Sequence, residues 1–210
     1  MPGRLIALEG IDGSGKTTQA RILASEIAED RVTLTAEPGA TALGGGLRRL
    51  LLDPELPPVG ARTEALLLAA DRAQHVAEVV GPALAEGRWV VTDRFSGSTL
   101  AYQGYGRGLD LDELRSLVAW ATGGIEPDLN VLVDVPPAEA RDRRATGTAD
   151  RLESLAPDFH ERVRYGYLAL AAADPDRWVV VDGVGTVDEV AGRLSTAVGA
   201  RLGSPPRGDR

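Results

Sequence analysis

The chain has 210 residues, 43% apolar and 26% charged, with a net charge of −8 and no cysteine. That composition fits one soluble domain large enough for a real core. It excludes disulfides and thiolate-bound zinc, and the sign of the charge argues against duplex nucleic acid as a partner, which asks for a basic face.

Only His75 and His160 are present, so a His-built metal site is not expected. No run approaches the ~18 apolar residues of a membrane span. The chain passes from Met1 straight into a strand with no signal-peptide pattern, so a cytoplasmic protein without a membrane partner is expected. Apolar runs at Arg4–Glu9, Val32–Ala36, Trp89–Asp93, 129–135 and Trp178–Asp182 alternate with helical patterns. Nearly continuous apolar runs are the mark of parallel strands covered on both faces. The expectation is a doubly wound α/β domain over residues 1–202, with its ligands beyond the carboxyl ends of the strands.

The first strand runs into Gly10-Ile11-Asp12-Gly13-Ser14-Gly15-Lys16-Thr17, with Thr18 behind it. This fits G-x-x-x-x-G-K-[ST] in the strand–loop–helix setting that a phosphate loop needs. Its glycines let backbone N–H groups turn inward on an anion, and the helix N-terminus adds more donors. In such a loop Lys16 reaches the β- and γ-phosphates, and the Thr17 hydroxyl takes a place on Mg²⁺. Lys plus Arg total 23, and Lys16 is the only lysine. A compact point charge on a flexible stem suits a crowded phosphate nest better than a planar guanidinium.

The first helix is expected over 15–29, followed by the Glu37-Pro38-Gly39 turn and a short helix over 47–52 bearing Arg48 and Arg49. The longest helix is expected over 63–86, bent or broken at Pro82. Leu66, Ala70, Ala73, Ala77, Val80 and Leu84 form its core stripe, and Leu68, Arg72 and His75 lie on another face. By spacing alone Arg72 is a surface residue.

The third strand ends in Asp93-Arg94. The Asp fits two uses, orienting Mg²⁺ in a phosphate-loop protein or capping the next helix. The glycine-rich stretch 96–108 reads as a loop, either arranged around a ligand or merely flexible. Asp110 and Thr186 each open a helix with a capping pattern. Arg141, Arg143, Arg144 and Arg151 cluster around a small-residue segment, 145–149. They fit a phosphate clamp or a solvated basic turn. Residues 203–210 read as a disordered tail.

Taken together, LEGIDGSGKTTQA at 8–20, EPG at 37–39, ADRAQHV at 70–76, DR with SxxAYQGYGRGL at 93–109, and DRLE at 150–153 resemble the thymidylate kinase family in order and spacing. The resemblance implies a P-loop NTPase fold with a five-stranded parallel sheet flanked by helices, and a lid at about 141–153. It also implies a homodimer, ATP as phosphoryl donor, Mg²⁺, and dTMP as acceptor giving dTDP. It places Asp12 near the acceptor's sugar or phosphate, with Glu37 and Leu68 also on the acceptor side. Arg48 and Arg94 hold the acceptor phosphate. Arg72 bonds the base, against the surface reading. Ser98, Thr99, Tyr102 and Gln103 line the sugar and base pocket. Lys16, Asp93, Arg94, Arg143 and Arg151 are the implied catalytic set, the last two in the lid. Leu68 stands where the family often has Phe, Ala36 where it has Arg, Ala40 where it has Gly, and Phe95 where it has Tyr. These departures leave the phosphoryl-transfer parts intact and bear on base recognition. Another acceptor, such as dUMP or a deoxynucleoside, or a non-catalytic nucleotide-binding relative, is the alternative.

Overall fold

A computed structural model describes residues 3–53, 55, 57, 59–143, 151 and 155–203. Five parallel strands form one sheet in the order β2-β3-β1-β4-β5. They are β1 (Arg4–Glu9), β2 (Val32–Ala36), β3 (Trp89–Asp93), β4 (Leu129–Asp134) and β5 (Trp178–Asp182). Every strand read from the apolar runs is present, within one residue. Side chains alternate across the sheet as the pleat requires. Ile6 and Leu8 of β1 pack with Val131 and Val133 of β4 on one face, while Leu5 and Ala7 face the opposite core.

The first face is covered by α1 (Lys16–Ser25) and α9 (Val187–Leu202) through Ala20, Leu23, Val190 and Leu194. The other side is built from α2 (Ala42–Leu52), α3 (Ala61–His75), α4 (Gly81–Ala85), α5 (Ser96–Thr99), α6 (Leu111–Thr122), α7 (Pro137–Arg143) and α8 (Pro157–Ala173). Thr186 caps α9 in a complete capping box with Glu189, and the Asp110 side chain caps α6.

Three helical expectations are corrected. The first helix ends at Ser25, and a 3₁₀ turn at Glu29–Arg31 follows instead of continued α-helix. The long helix changes to a π-turn at Val76–Val80 and restarts as α4, with Pro82 in its first turn, where a missing N–H is harmless. Of its expected core stripe, Val80 and Leu84 do pack on the core, but Leu66, Ala70 and Ala77 are exposed. Leu66 is 59% exposed, whereas Arg72 is 2% and Glu64 and His75 are 0% exposed. Periodicity counts charges as solvent-facing, and here the charged face is turned inward because each of its charges meets a partner.

The third correction concerns 96–108. It is helical, as α5 followed by a π-helix over Leu100–Gly106. Its glycines serve close packing. A Cβ on Gly97 would lie 2.7 Å from the Trp178 ring and 2.8 Å from Glu9 Oε1. Tertiary contact therefore overrides weak helix propensity. Gly97→Ala tests this. Propensity alone predicts a gain of up to about 1 kcal/mol, while overpacking predicts a loss of about 1–3 kcal/mol. Urea unfolding is expected to show the loss.

Candidate functional site

The carboxyl ends of β1, β2 and β3 meet at one edge of the sheet, and each leads into a segment singled out from the sequence. Gly10 leaves β1 at φ 146°, and a Cβ there would stand 2.7 Å from the Val133 carbonyl, so only glycine fits. No side chain caps α1 at Gly15, which leaves its first N–H groups facing the loop as anion donors. Lys16 is buried, with Nζ 3.3 Å from the Ile11 carbonyl and 3.4 Å from Asp12 Oδ1. Burial lowers the Lys16 pKa and the Arg94 charge adds to this, against the pull of Asp12 and Asp93.

Thr17 Oγ1 donates to Asp93 Oδ2, while the buried Asp93 Oδ1 has no hydrogen-bond partner among the described residues. Asp93 therefore faces the phosphate loop from the end of β3. It is not the cap of α5, whose N-cap position is Phe95.

Arg94 is the only described non-glycine residue in the left-handed region, at φ 73°. Its backbone N–H still bonds the Leu8 carbonyl, at 2.9 Å. Its guanidinium donates to Asp12 Oδ1 at 2.5 Å, Ser98 Oγ at 3.0 Å, and the Gly10 carbonyl and the Tyr102 and Tyr167 hydroxyls at 3.2 Å. Tyr102 also donates to Asp12 Oδ2, at 2.8 Å. Burial pushes the Asp12 carboxyl up, but the Arg94 and Lys16 charges, with hydrogen bonds from Tyr102 and Arg94, hold it far below the usual carboxylate range.

Every residue expected around the acceptor lines one cavity. Asp12, Arg94, Ser98 and Tyr102 border its phosphate-loop side, with Glu37, Arg48, Leu68, Arg72, Thr99 and Gln103 completing it. Arg48 arches over the 37–39 turn, its Nη1 donating to the Pro38 carbonyl at 2.9 Å. Arg72 is a buried wall residue, which overturns the surface reading taken from spacing. It donates to Glu37 Oε2 at 2.8 Å, Thr99 Oγ1 at 2.8 Å and the Phe95 carbonyl at 2.9 Å. His75 bridges the other Glu37 oxygen to Thr35 Oγ1.

A second cavity, of about 470 Å³, is lined by residues 12–19, Arg143, Gly183, Gly185, Thr186, Val187 and Val190. Asp12 belongs to both cavities. The two arginines expected in one lid stand apart. Arg143 closes α7 and donates to the Gly183 carbonyl at 3.0 Å, with Nη1 3.5 Å from the Ser14 carbonyl, on the phosphate-loop side. Arg151 donates to the Leu51 carbonyl at 2.8 Å and Glu64 Oε2 at 2.9 Å, on the other side. Residues 144–150, 152 and 153 of the expected lid, and 204–210 of the expected tail, lie outside the described residues.

Sequence reasoning missed two buried carboxylates. Glu9 accepts from the N–H groups of Phe95 and Ser98 and from the hydroxyls of Ser98 and Tyr167. Burial raises its pKa against these bonds. Its signal was a carboxylate closing an otherwise apolar strand. Glu64 accepts from Gln103, Arg107 and Arg151. It gave no separate signal, because Glu in the first turn of a helix is ordinary.

A model of the family described as thymidylate kinase matches residues 8–193. The chain is 49% identical over 205 residues to a protein named thymidylate kinase from Desulforudis audaxviator, covering 96% of this chain and 91% of that one. It is 49% identical over 184 residues to one from Cutibacterium acnes, covering 87% and 89%. Its fold is similar to the crystal structure of thymidylate kinase from Ehrlichia chaffeensis, with TM-score 0.77 and 31% identity over 94% of this chain and 99% of that one.

The Asp12 carboxyl gives a pH test. A depressed folded pKa contributes stability that is present above the unfolded value, about 3.9, and is lost as pH falls through the folded value. The stability difference between wild type and Asp12→Asn should therefore shrink by up to about 1 kcal/mol between pH 5 and pH 3. Parallel pH profiles would contradict the Asp12–Arg94 pairing.

Proposed function

The chain belongs to the thymidylate kinase family and phosphorylates dTMP to dTDP with ATP, and from that premise we propose which of its residues do so. ATP occupies the phosphate-loop cavity and dTMP the cavity walled by Arg72. The observation that carries this reading is Asp12, the side chain common to both cavities, with Lys16 on one side and Arg94 on the other.

Phosphoryl transfer asks for positioning and charge neutralisation more than covalent chemistry. The phosphate of dTMP is already ionised at neutral pH, so no general base is needed. Arg94 and Arg48 hold that phosphate, and Lys16 and the loop N–H groups hold the phosphates of ATP. Asp12 fixes the angle between the two cations and faces the acceptor. Arg72 reads the base, with Leu68 giving apolar contact but no ring face. Ser98, Thr99, Tyr102 and Gln103 line the sugar and base region. The placement of Arg143 supports a donor-side role and that of Arg151 an acceptor-side one.

Mg²⁺ fits the residues present. The unpartnered Asp93 Oδ1 and the Thr17 hydroxyl are hard oxygen donors. Among the described residues no group of three or more His, Cys, Asp or Glu could hold a metal ion. Mg²⁺ takes few protein ligands and completes its shell with water and phosphate oxygens. When bound there, it neutralises charge on the donor phosphates.

We read the enzyme as a homodimer and place it in the cytoplasm, which holds ATP and dTMP. The dimer is supported by exposed apolar residues on the adjacent helices α2 and α3, Leu43 at 54%, Leu50 at 44% and Leu66 at 59%. Among the described residues no helix is long and apolar enough to cross a membrane.

Product analysis with ATP and a panel of nucleoside monophosphates tests the acceptor, and dTDP is the expected product. Lys16→Ala should lower kcat by about 100-fold or more with the circular dichroism spectrum retained, and undiminished activity would remove Lys16 from the mechanism. Arg143→Ala should raise KM for ATP and leave KM for dTMP unchanged; the reverse would place Arg143 at the acceptor.

A further inference from the structure

Gln103 is 0% exposed, lines the acceptor cavity, and sits beside Glu64, also 0% exposed. Gln103 Nε2 donates to Glu64 Oε1 at 2.8 Å. Gln103 Oε1 has no hydrogen-bond partner among the described residues. A primary amide has a donor end and an acceptor end, and only its partners decide which way it points. An ionised carboxylate only accepts. Reversing the amide would set oxygen against oxygen in a buried site, at high cost.

Glu64 is held ionised by what surrounds it. Arg107 Nη2 and Arg151 Nη2 donate to Oε2 at 3.0 and 2.9 Å, and Arg107 Nε reaches Oε1 at a longer 3.3 Å. Burial pushes the carboxyl up, but the Arg107 and Gln103 bonds, with the Arg107 charge and the Arg151 bond, bring it below its ordinary range.

We propose that Glu64 is a specificity-setting positioning residue: by holding the amide nitrogen of Gln103 it turns the amide oxygen to the cavity, which thereby selects pyrimidines carrying an N–H at ring position 3. The selection rests on the assignment of this cavity to dTMP. Arg72 shares the cavity and can only donate. An acceptor and a donor lining one cavity match the N3–H and O4 of thymine. Cytosine presents the opposite pair, a ring nitrogen acceptor and an amino donor, and would leave both buried groups unmatched. Sites built to hydrogen-bond a substrate reject an unmatched analogue far more strongly than apolar pockets reject a missing methyl. The role also accounts for an expensive feature, a carboxylate buried away from the phosphates, more than its ion pairs alone do.

The test is kcat/KM for dTMP and dCMP in wild type, Glu64→Gln and Glu64→Asp. In Glu64→Gln the two arginines at Oε2 keep the new amide's oxygen, so its NH₂ faces Gln103 and Gln103 reverses. The expected result is a fall in kcat/KM for dTMP with the dTMP-to-dCMP ratio narrowed by at least about tenfold. Glu64→Asp keeps a carboxylate and should keep the wild-type ratio even where activity drops. Equal losses for both substrates in Glu64→Gln would overturn the proposal and leave Glu64 an ion-pair anchor. Should Glu64→Gln fail to fold, wild type decides with dTMP methylated at N3. Rejection of that compound, relieved in Gln103→Leu, supports the acceptor; wild-type turnover equal to that of dTMP overturns it. Failure of wild type to phosphorylate dTMP would overturn the assignment of the cavity itself, before Glu64 is at issue.

Discussion

The rest of the site depends on one buried ion pair, Arg94 to Asp12. Arg94 leaves β3 in a left-handed conformation, which costs a non-glycine residue of order 1–3 kcal/mol. In return its guanidinium reaches the phosphate loop at Asp12 and the Gly10 carbonyl, and the far wall at Ser98, Tyr102 and Tyr167. The ring of Tyr102 lies 4.9 Å from its charge. The phosphate loop and the helical segment that lines the cavity walled by Arg72 are thereby referenced to the same atoms. Two cations, Lys16 and Arg94, share the Asp12 carboxylate. Asp93 acts on both cations as well, so the pair is held between two carboxylates within a protein whose net charge is negative.

The cavity walled by Arg72 follows the same rule of compensated burial, in its lining and behind it. Glu9 is matched by two N–H groups and two hydroxyls, Glu37 by Arg72 and His75, and Glu64 by an amide and two arginines. A buried charge adds little net stability even when paired, and leaving it unpaired is strongly unfavourable. Such networks resist displacement of any one member. That resistance suits side chains that must meet a nucleotide in a fixed geometry. Gly97 belongs to the same construction, because only a missing side chain lets α5 sit between Glu9 and Trp178.

What the sequence made legible was whatever depends on local pattern. Apolar runs located the strands, and the phosphate loop declared itself by spacing and setting. Asp110 and Thr186 showed where their helices begin. What stayed hidden depends on pairing at long range. The inward face of α3 carries Glu64, Asp71, Arg72 and His75, which periodicity assigns to water. By the entropy of their glycines residues 96–108 read as a loop, while their conformation is set by Trp178, Glu9 and Phe159 pressing on them. Arg143 and Arg151 are eight positions apart in the chain, yet one contacts the phosphate loop and the other Glu64. The residues that the motif resemblance groups around an acceptor line one cavity, since that grouping reflects the folded pocket more than any local period.

The central claim is that Arg94 and Asp12 stand between two bound nucleotides. A crystal structure of the protein with dTMP and a non-hydrolysable ATP analogue tests it most directly. The account predicts the dTMP phosphate within hydrogen-bond distance of Arg94, the analogue's terminal phosphate at Lys16, and the Asp12 carboxylate between the two sites. A dTMP phosphate bound away from Arg94, or an analogue whose phosphates miss the loop 10–17, would contradict it.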